Sequence, residues 1–434
     1  MALDDSNTSS SSFSSFSFSS SSSISKQCSL ESTNYNSDTN FKNVKIIIPC
    51  KSPHHYIRCI TTLKTLNHHH ITCMTVHKNL LYVAAGDKIN VFDLTTLFLT
   101  NNHAFSSNGR DLSLGGGGFI KSILFYNHAN VLTAHQDGKI RAWKRHRFVG
   151  TLPTLRDKVR RFVWGKNYVK VRRGKKKLWI EHYDVVSDLA CNESNGVVYL
   201  YSVSWDKSLK IWRGSDFKCL ETVTAHDDAI NAVTVSVNGR VYTGSADGKI
   251  KVWDRASKSN NSNSINNNSN NNLVERHILV DVMEMHKSTG VNALALSRDG
   301  KVLLSGGCDG AIAVWEIDDV EDRMVEIGVL EGHYGPILCL IRLDYEGNND
   351  VGNWDLFVSG SADRTVRIWG GWRGGFYHCL GVLEGHSQPV RSVAVARPPE
   401  SGLDGVIWVC SGSLDGEIKI WQVMVGELVN CKCC

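Results

Sequence analysis

No apolar run in this 434-residue chain approaches the roughly 20 residues that a membrane-spanning helix needs, which excludes a helical span. The first residues also lack the basic-then-apolar order of a secretory leader, so an intracellular protein is expected. A disulfide framework is missing as well. Thirteen cysteines are present, but most stand singly in strand-like stretches, as Cys191, Cys339 and Cys410 do. That is how small buried hydrophobes are used in a reducing compartment. The Asn-x-Ser/Thr triplets at Asn7, Asn192, Asn260 and Asn267 then read as chance matches. Nor is there a phosphate loop, because Ile120 occupies the glycine position before Lys-Ser in Gly115–Ser122. Hydrophobic residues make up 42% of the chain, ample for a core.

What the chain does contain is repetition. An aspartate is followed six residues later by tryptophan at Asp137/Trp143, Asp206/Trp212, Asp247/Trp253, Asp309/Trp315, Asp363/Trp369 and Asp415/Trp421. A weaker copy, Asp87/Phe92, is one residue shorter. Val241–Asp254 reads VYTGSADGKIKVWD, and Leu356–Trp369 repeats it as LFVSGSADRTVRIW. The alternation of apolar and small polar residues suits a strand, Asp-Gly suits a tight turn, and the alternation then resumes in a return strand. Upstream, Ala229–Val235 and Cys219–Val223 supply two more strands. A hydroxyl stands four residues before each aspartate of the six strong copies: Thr133, Ser202, Thr243, Ser305, Ser359 and Ser411. Further upstream, most copies carry a histidine, at His182, His226, His286, His333 or His386. A lone Ser/His/Asp set would suggest a nucleophile. Its repetition along the chain argues instead for a structural device.

This pattern resembles the WD40 repeat over roughly residues 55–425, including the Gly-His pairs at Gly332-His333 and Gly385-His386. The resemblance implies an all-β, seven-bladed propeller of four antiparallel strands per blade. It also implies that histidine, hydroxyl, aspartate and tryptophan form a hydrogen-bonded tetrad in each blade: His182/Ser202/Asp206/Trp212, His226/Thr243/Asp247/Trp253, His286/Ser305/Asp309/Trp315, His333/Ser359/Asp363/Trp369 and His386/Ser411/Asp415/Trp421. The chain ends soon after Trp421, so the last blade lacks an outer strand. Tyr56–Leu66 (YIRCITTLKTL) is expected to complete it and hide the open edge. Blade one departs from the pattern, with Asn67 or His68 left to serve as its histidine. The spacing from Trp212 to Trp253 is 41 residues, near the ordinary period, and the other spacings are longer, so those blades carry loop insertions.

The expected domains are a disordered serine-rich tail over 1–53, the propeller over 54–427 and a cysteine-rich tail over 428–434. Ser9–Ser25 is low-complexity, and a plastid transit peptide is the rival reading there, weakened by Asp4 and Asp5. Residues 257–272 form an asparagine-serine loop between blades four and five. Residues 144–180 form a basic insertion between blades two and three. From Lys144 to Lys177 there are fourteen Lys/Arg against the single acid Asp157. That is a local charge of +13 against +5 for the whole chain, so everything else is net negative. Tyr168–Arg172 and Lys176–Glu181 alternate around Arg173-Gly174, which predicts a hairpin whose second strand becomes the edge of blade three. The cluster Arg172, Arg173, Lys175, Lys176 and Lys177 reads as a solvated edge, as a nuclear-import signal, or as a site for nucleic acid, anionic lipid or an acidic protein. No recognised nucleic-acid module accompanies it.

Leu152–Asp157 (LPTLRD), Asn167-Tyr168-Val169, His182-Tyr183-Asp184, Ser204–Lys207 (SWDK) and Ala225–Asn231 (AHDDAIN) resemble the plant WD40 proteins of the JINGUBANG type. That resemblance implies a non-enzymatic regulator with a single propeller and no cofactor. In the family, the face bearing the histidine loops and aspartate turns is the usual docking surface. Residues there that no structural rule demands are the candidate protein-binding residues: Trp205, Tyr334, Arg364, Asp227 and Asp228. The expected partners are one or more proteins, in the cytoplasm and also the nucleus.

Rival readings rank lower. Ubiquitin-ligase receptors place Arg or Lys three residues after the repeat tryptophan, where this chain has His146, Ser215, Ala256, Asp318, Trp372 and Met424. Cys431-Lys432-Cys433-Cys434 has the cysteines of a lipidation signal but Lys432 at an aliphatic position. Cys50, His54, His55 and Cys59 have the atoms to bind zinc, but the last of them enter the closing strand, so no metal is expected.

Overall fold

The computed structural model describes residues 56–65, 69–100, 118–127, 130–162, 168–170, 176–256, 276–284, 289–344, 354–398 and 405–426. The expected serine-rich tail, asparagine loop and cysteine-rich tail lie outside these residues, as do Asn67, His68, His286, Arg172, Arg173 and Lys175.

Each Asp-turn peptide folds as a hairpin at the centre of a four-stranded antiparallel sheet, and seven such sheets form. Blade four shows the pattern, with strands Ile230–Val235, Val241–Ser245, Lys249–Arg255 and His277–Glu284 in sequential order. In all six strong copies the residue after the turn aspartate has left-handed φ. Glycine takes that position at Gly138, Gly248, Gly310 and Gly416, while Lys207 (φ 72°) and Arg364 (φ 73°) adopt it with full side chains.

The seventh sheet confirms the expected closure. Its strands Val390–Ala396, Val406–Ser413 and Glu417–Met424 are completed by Ile57–Lys64, which pairs with the last of them from Ile57↔Val423 to Lys64↔Glu417. The first strands of the seven sheets contact one another in an unbroken circle, so the sheets form a closed seven-bladed propeller.

The apolar core divides into seven clusters, each filling the seam between two neighbouring blades. The repeat tryptophan of each blade packs into the seam with the preceding blade: Trp212 between blades two and three, Trp253 between three and four, Trp369 between five and six. The indole therefore locks neighbouring sheets together as well as packing within its own. The glycine in the Ser-Gly-Gly of blade five has a related cause. A Cβ on Gly306 would come within 2.5 Å of Ile337 in the next blade, so only glycine lets the seam close.

One expectation needs correction. The basic stretch is not an insertion from residue 144, because Lys144 ends the third strand of blade two and Arg147–Leu152 is that blade's outer strand. Between blades two and three the chain then forms a helix, Leu155–Phe162, and a separate two-stranded sheet of Tyr168–Lys170 with Lys176–Leu178. The hairpin forms, but its second strand is not the edge of blade three, whose order is Val186–Ser194, Val197–Ser204, Ser208–Arg213 and Cys219–Thr224. Cys219–Thr224 already occupies that edge. The helix starts where Thr154 caps it, accepting a hydrogen bond from the Asp157 amide at 3.3 Å and donating to the Asp157 carboxylate at 3.1 Å.

Candidate protein-interaction face

The tetrads form directional hydrogen-bond relays. In blade three, Trp212 Nε1–H donates to Ser202 Oγ (2.9 Å), the hydroxyl donates to His182 Nε2 (2.8 Å), and His182 Nδ1–H donates to Asp206 (2.9 Å). Blade four repeats this with Trp253, Thr243, His226 and Asp247, and blade six with Trp369, Ser359, His333 and Asp363. In blade seven the relay is looser at its end, with His386 at 3.4 Å from Asp415. In blade five, Trp315 donates to Ser305 (2.9 Å), and Asp309 accepts from Thr289 (3.2 Å).

Sequence reasoning missed one member. Blade two has no upstream histidine in its described residues, and His135 replaces it from within the second strand. Trp143 donates to Thr133 (3.0 Å), Thr133 donates to His135 Nε2 (2.8 Å), and His135 Nδ1–H donates to the Gly118 carbonyl (3.2 Å). Released from the relay, Asp137 pairs with Arg141 at 2.8 Å. A histidine two residues after the repeat hydroxyl was the signal. In blade one an apolar pair takes over, with Val83 at the hydroxyl position and Phe92 at the tryptophan position, both buried in the seam with blade seven.

The relays need only neutral imidazoles, and burial enforces this. It pushes His182, His226, His333 and His386 below the ordinary 6.5, against the pull of their aspartates. His135 falls to about 3, through burial first and Arg141 second. The unfolded chain takes up these protons near pH 6.5 and the folded protein refuses them. This contribution is therefore complete above 6.5 and is lost as pH falls below it. The melting temperature is expected to fall steadily from about pH 7 to about pH 5; a flat profile over that interval contradicts a neutral relay.

In blades three, four, six and seven the relay ties a histidine loop to an aspartate turn, so these loops and turns lie on one face. The sequence-selected residues sit on it in two groups. On blade six, Tyr334 is 94% exposed and only its amide serves the relay, donating to Asp363 (3.0 Å). Arg364, in the adjoining turn, is exposed. On blades three and four lie Trp205, Asp227 and Asp228. Trp205 is 42% exposed, with the Lys121 ammonium 5.8 Å from its ring centre. Asp227 is exposed, its amide donates to Asp247, and its carbonyl accepts from Lys207. The Asp228 carboxylate accepts from the Ala229 amide (2.8 Å), a local turn contact. Tyr183, 44% exposed, stands beside Trp205 with its hydroxyl on the Asp206 carbonyl, and sequence reasoning did not single it out.

Of the basic cluster, only the Lys177 side chain is described, and it donates to the His182 carbonyl (3.4 Å). The preceding helix packs its basic side inward, with Arg161 over the Trp179 ring (4.4 Å) and Lys158 on Glu181 (2.5 Å). It exposes Leu155 (77%) and Val159 (63%) beside Arg156 and Arg160.

The opposite face carries a cavity of about 390 Å³ lined by Arg298, Arg342, Trp354, Trp372 and Arg373 among others. Two of its arginines are already paired, Arg342 with Asp344 and Arg373 with Glu316 and Asp319. Among the described residues, no three His, Cys, Asp or Glu side chains converge to hold a metal ion, and no helix is long and apolar enough to cross a membrane.

The model of the "WD domain, G-beta repeat" family matches residues 175–213, 217–254, 278–316, 324–370 and 377–422, each match ending at or one residue beyond a repeat tryptophan. The unmatched blades one and two are those whose relays are altered. Among curated relatives, a WD repeat-containing protein of Schizosaccharomyces pombe is 25% identical over 238 residues, 54% of this chain and 53% of the relative. A guanine nucleotide-binding protein subunit beta-like protein of Encephalitozoon cuniculi is 25% identical over 217 residues (49% and 55%). The nuclear distribution protein nudF of Aspergillus niger is 25% identical over 261 residues (56% and 51%). The chain spans about half the length of these relatives. With seven four-stranded blades closed into a ring, histidine relays in five of them and five matched repeats, the chain belongs to the WD40-repeat family, whose members generally act as protein-interaction scaffolds.

Proposed function

We propose that this protein is a non-enzymatic scaffold or adaptor that binds partner proteins through the face bearing the histidine loops and aspartate turns. Tyr334 carries the reading: a 94% exposed tyrosine directly after a relay histidine, contributing only its amide to the fold. Aromatic side chains presented this way are the usual anchors of interfaces. Arg364 adds support. Holding a non-glycine residue at left-handed φ costs about 1–2 kcal/mol, at a position where four of six turns use glycine. The plant regulatory role of the JINGUBANG type rests on the motif phrases Leu152–Asp157, His182–Asp184 and Ala225–Asn231, and a cytoplasmic and nuclear setting goes with it.

The test is affinity capture from the source tissue with wild type and Trp205→Ala/Tyr334→Ala side by side. The double variant is expected to melt with the wild type and to lose the captured partner. Equal capture by both overturns the reading.

The exposed Leu155 and Val159 among arginines favour a second reading for the basic segment, as an attachment to anionic lipid surfaces. Leu155→Glu/Val159→Glu is expected to abolish co-sedimentation with phosphatidylserine vesicles. Undiminished co-sedimentation removes the helix from the account.

A further inference from the structure

The first strand of every blade, which meets the first strands of its two neighbours around the ring, carries a β-bulge at its second residue. In blades three, four and five the bulged side chain staples its blade to the next. Ser187 donates to the Ile230 carbonyl (2.5 Å), Asn231 to Val291 (3.0 Å) and Asn292 to Ile337 (3.0 Å).

The sector formed by blades seven, one and two does something else. Thr72 bonds within its own blade, to the Ala84 carbonyl (3.2 Å). The equivalent residues on either side are Arg391 and Lys121. Neither has a hydrogen bond or an ion pair among the described residues. Both are half-buried, and both act on the Cys73 thiol of blade one, which lies between them. Lys121 is pushed below its ordinary value by burial first and by the Arg391 charge second. Asp188, the acid on the neighbouring inner strand, forms no ion pair with either of them among the described residues. Both Asp188 oxygens are engaged, by Ser122 Oγ (2.9 Å) and the Leu189 amide on one side and by the Val233 amide (3.1 Å) on the other.

Two half-buried like charges that have no ion-pair partner among the described residues are unfavourable until an anion joins them. The Trp205 ring, beside Lys121, walls this sector on the face already argued to dock partners. Resting on that reading, we propose that Lys121 and Arg391, flanked by Trp205, form an anion-binding pocket for a carboxylate or phosphate carried by a partner peptide. Arg391 supplies a two-pronged planar donor and Lys121 a point charge, the pairing that suits either group.

The experiment is calorimetry on the full chain with two blocked probes, a hexaglutamate peptide and an alanine-based hexapeptide bearing one phosphoserine. At least one is expected to bind saturably, and the preferred probe identifies the group. Affinity should fall about tenfold or more in Lys121→Met/Arg391→Met, with a melting temperature equal to or above wild type. Arg156→Gln/Arg160→Gln on the basic helix should leave it unchanged. Absence of saturable binding by both probes, or equal affinity in Lys121→Met/Arg391→Met, overturns the pocket. Partner capture separates the two readings. If Lys121→Met/Arg391→Met captures the partner as wild type does while Trp205→Ala/Tyr334→Ala fails, the pocket falls and the face stands. If both pairs capture normally, both readings fall.

Discussion

Asp206→Ala lowers the unfolding free energy by about 3 kcal/mol, the largest loss expected from any relay aspartate. Its carboxylate accepts from His182 Nδ1 (2.9 Å), the Tyr183 amide (3.1 Å), the Ser208 amide (2.9 Å) and the Ser208 hydroxyl (2.5 Å). The His182 and Asp206 side chains are 1% and 0% exposed, so water cannot replace what is removed. Burial alone would raise the Asp206 carboxyl, but the His182 side chain and the Ser208 hydroxyl outweigh it and hold the group below its ordinary value. Asp415→Ala is expected to cost about 1 kcal/mol, because its histidine lies at 3.4 Å and its carboxylate is 9% exposed. Chemical denaturation of the two variants checks this order, and equal losses contradict the argument from burial.

Removing Ile57–Lys64 is the second large effect. That strand supplies the outer edge of blade seven, and the seams beside it include Ile57 and Leu63. Without it, Glu417–Met424 becomes an unpaired edge next to apolar surface, which invites pairing between molecules. The shortened protein is expected to lose its single sharp melt and to self-associate. A synthetic peptide of the sequence Tyr56–Leu66 should restore both the melt and the monomer, since the missing piece is one strand bound through its backbone. A shortened protein that melts like the full chain would mean that the ring does not need this closure.

The parts of the fold that were legible are those the repeat writes out. The turn aspartate, the hydroxyl four residues before it and the tryptophan six after it each have one structural job, so their spacing marked the hairpins and the number of copies, while the resemblance to the WD40 repeat supplied the four-stranded blade and the closing strand. Legibility failed where a blade solves the same problem differently. His135 does the work of an upstream histidine from inside a strand, and Val83 with Phe92 replaces hydrogen bonds by apolar packing. The helix Leu155–Phe162 was hidden by its charge, although Thr154 and Asp157 spell a helix start. The face could be located because its loops adjoin the relays. Which side chains are exposed on it, such as Tyr183 and Trp205, depends on contacts between blades that no single repeat records.

Melting temperature and partner capture measured together on Asp206→Ala and on Trp205→Ala/Tyr334→Ala separate the molecule's two layers. Asp206→Ala should melt early yet still capture the partner below its melt, while Trp205→Ala/Tyr334→Ala should melt with wild type and capture nothing. If Asp206→Ala is as stable as wild type and loses capture, the relay is part of the working site and the assignment of frame and face is wrong.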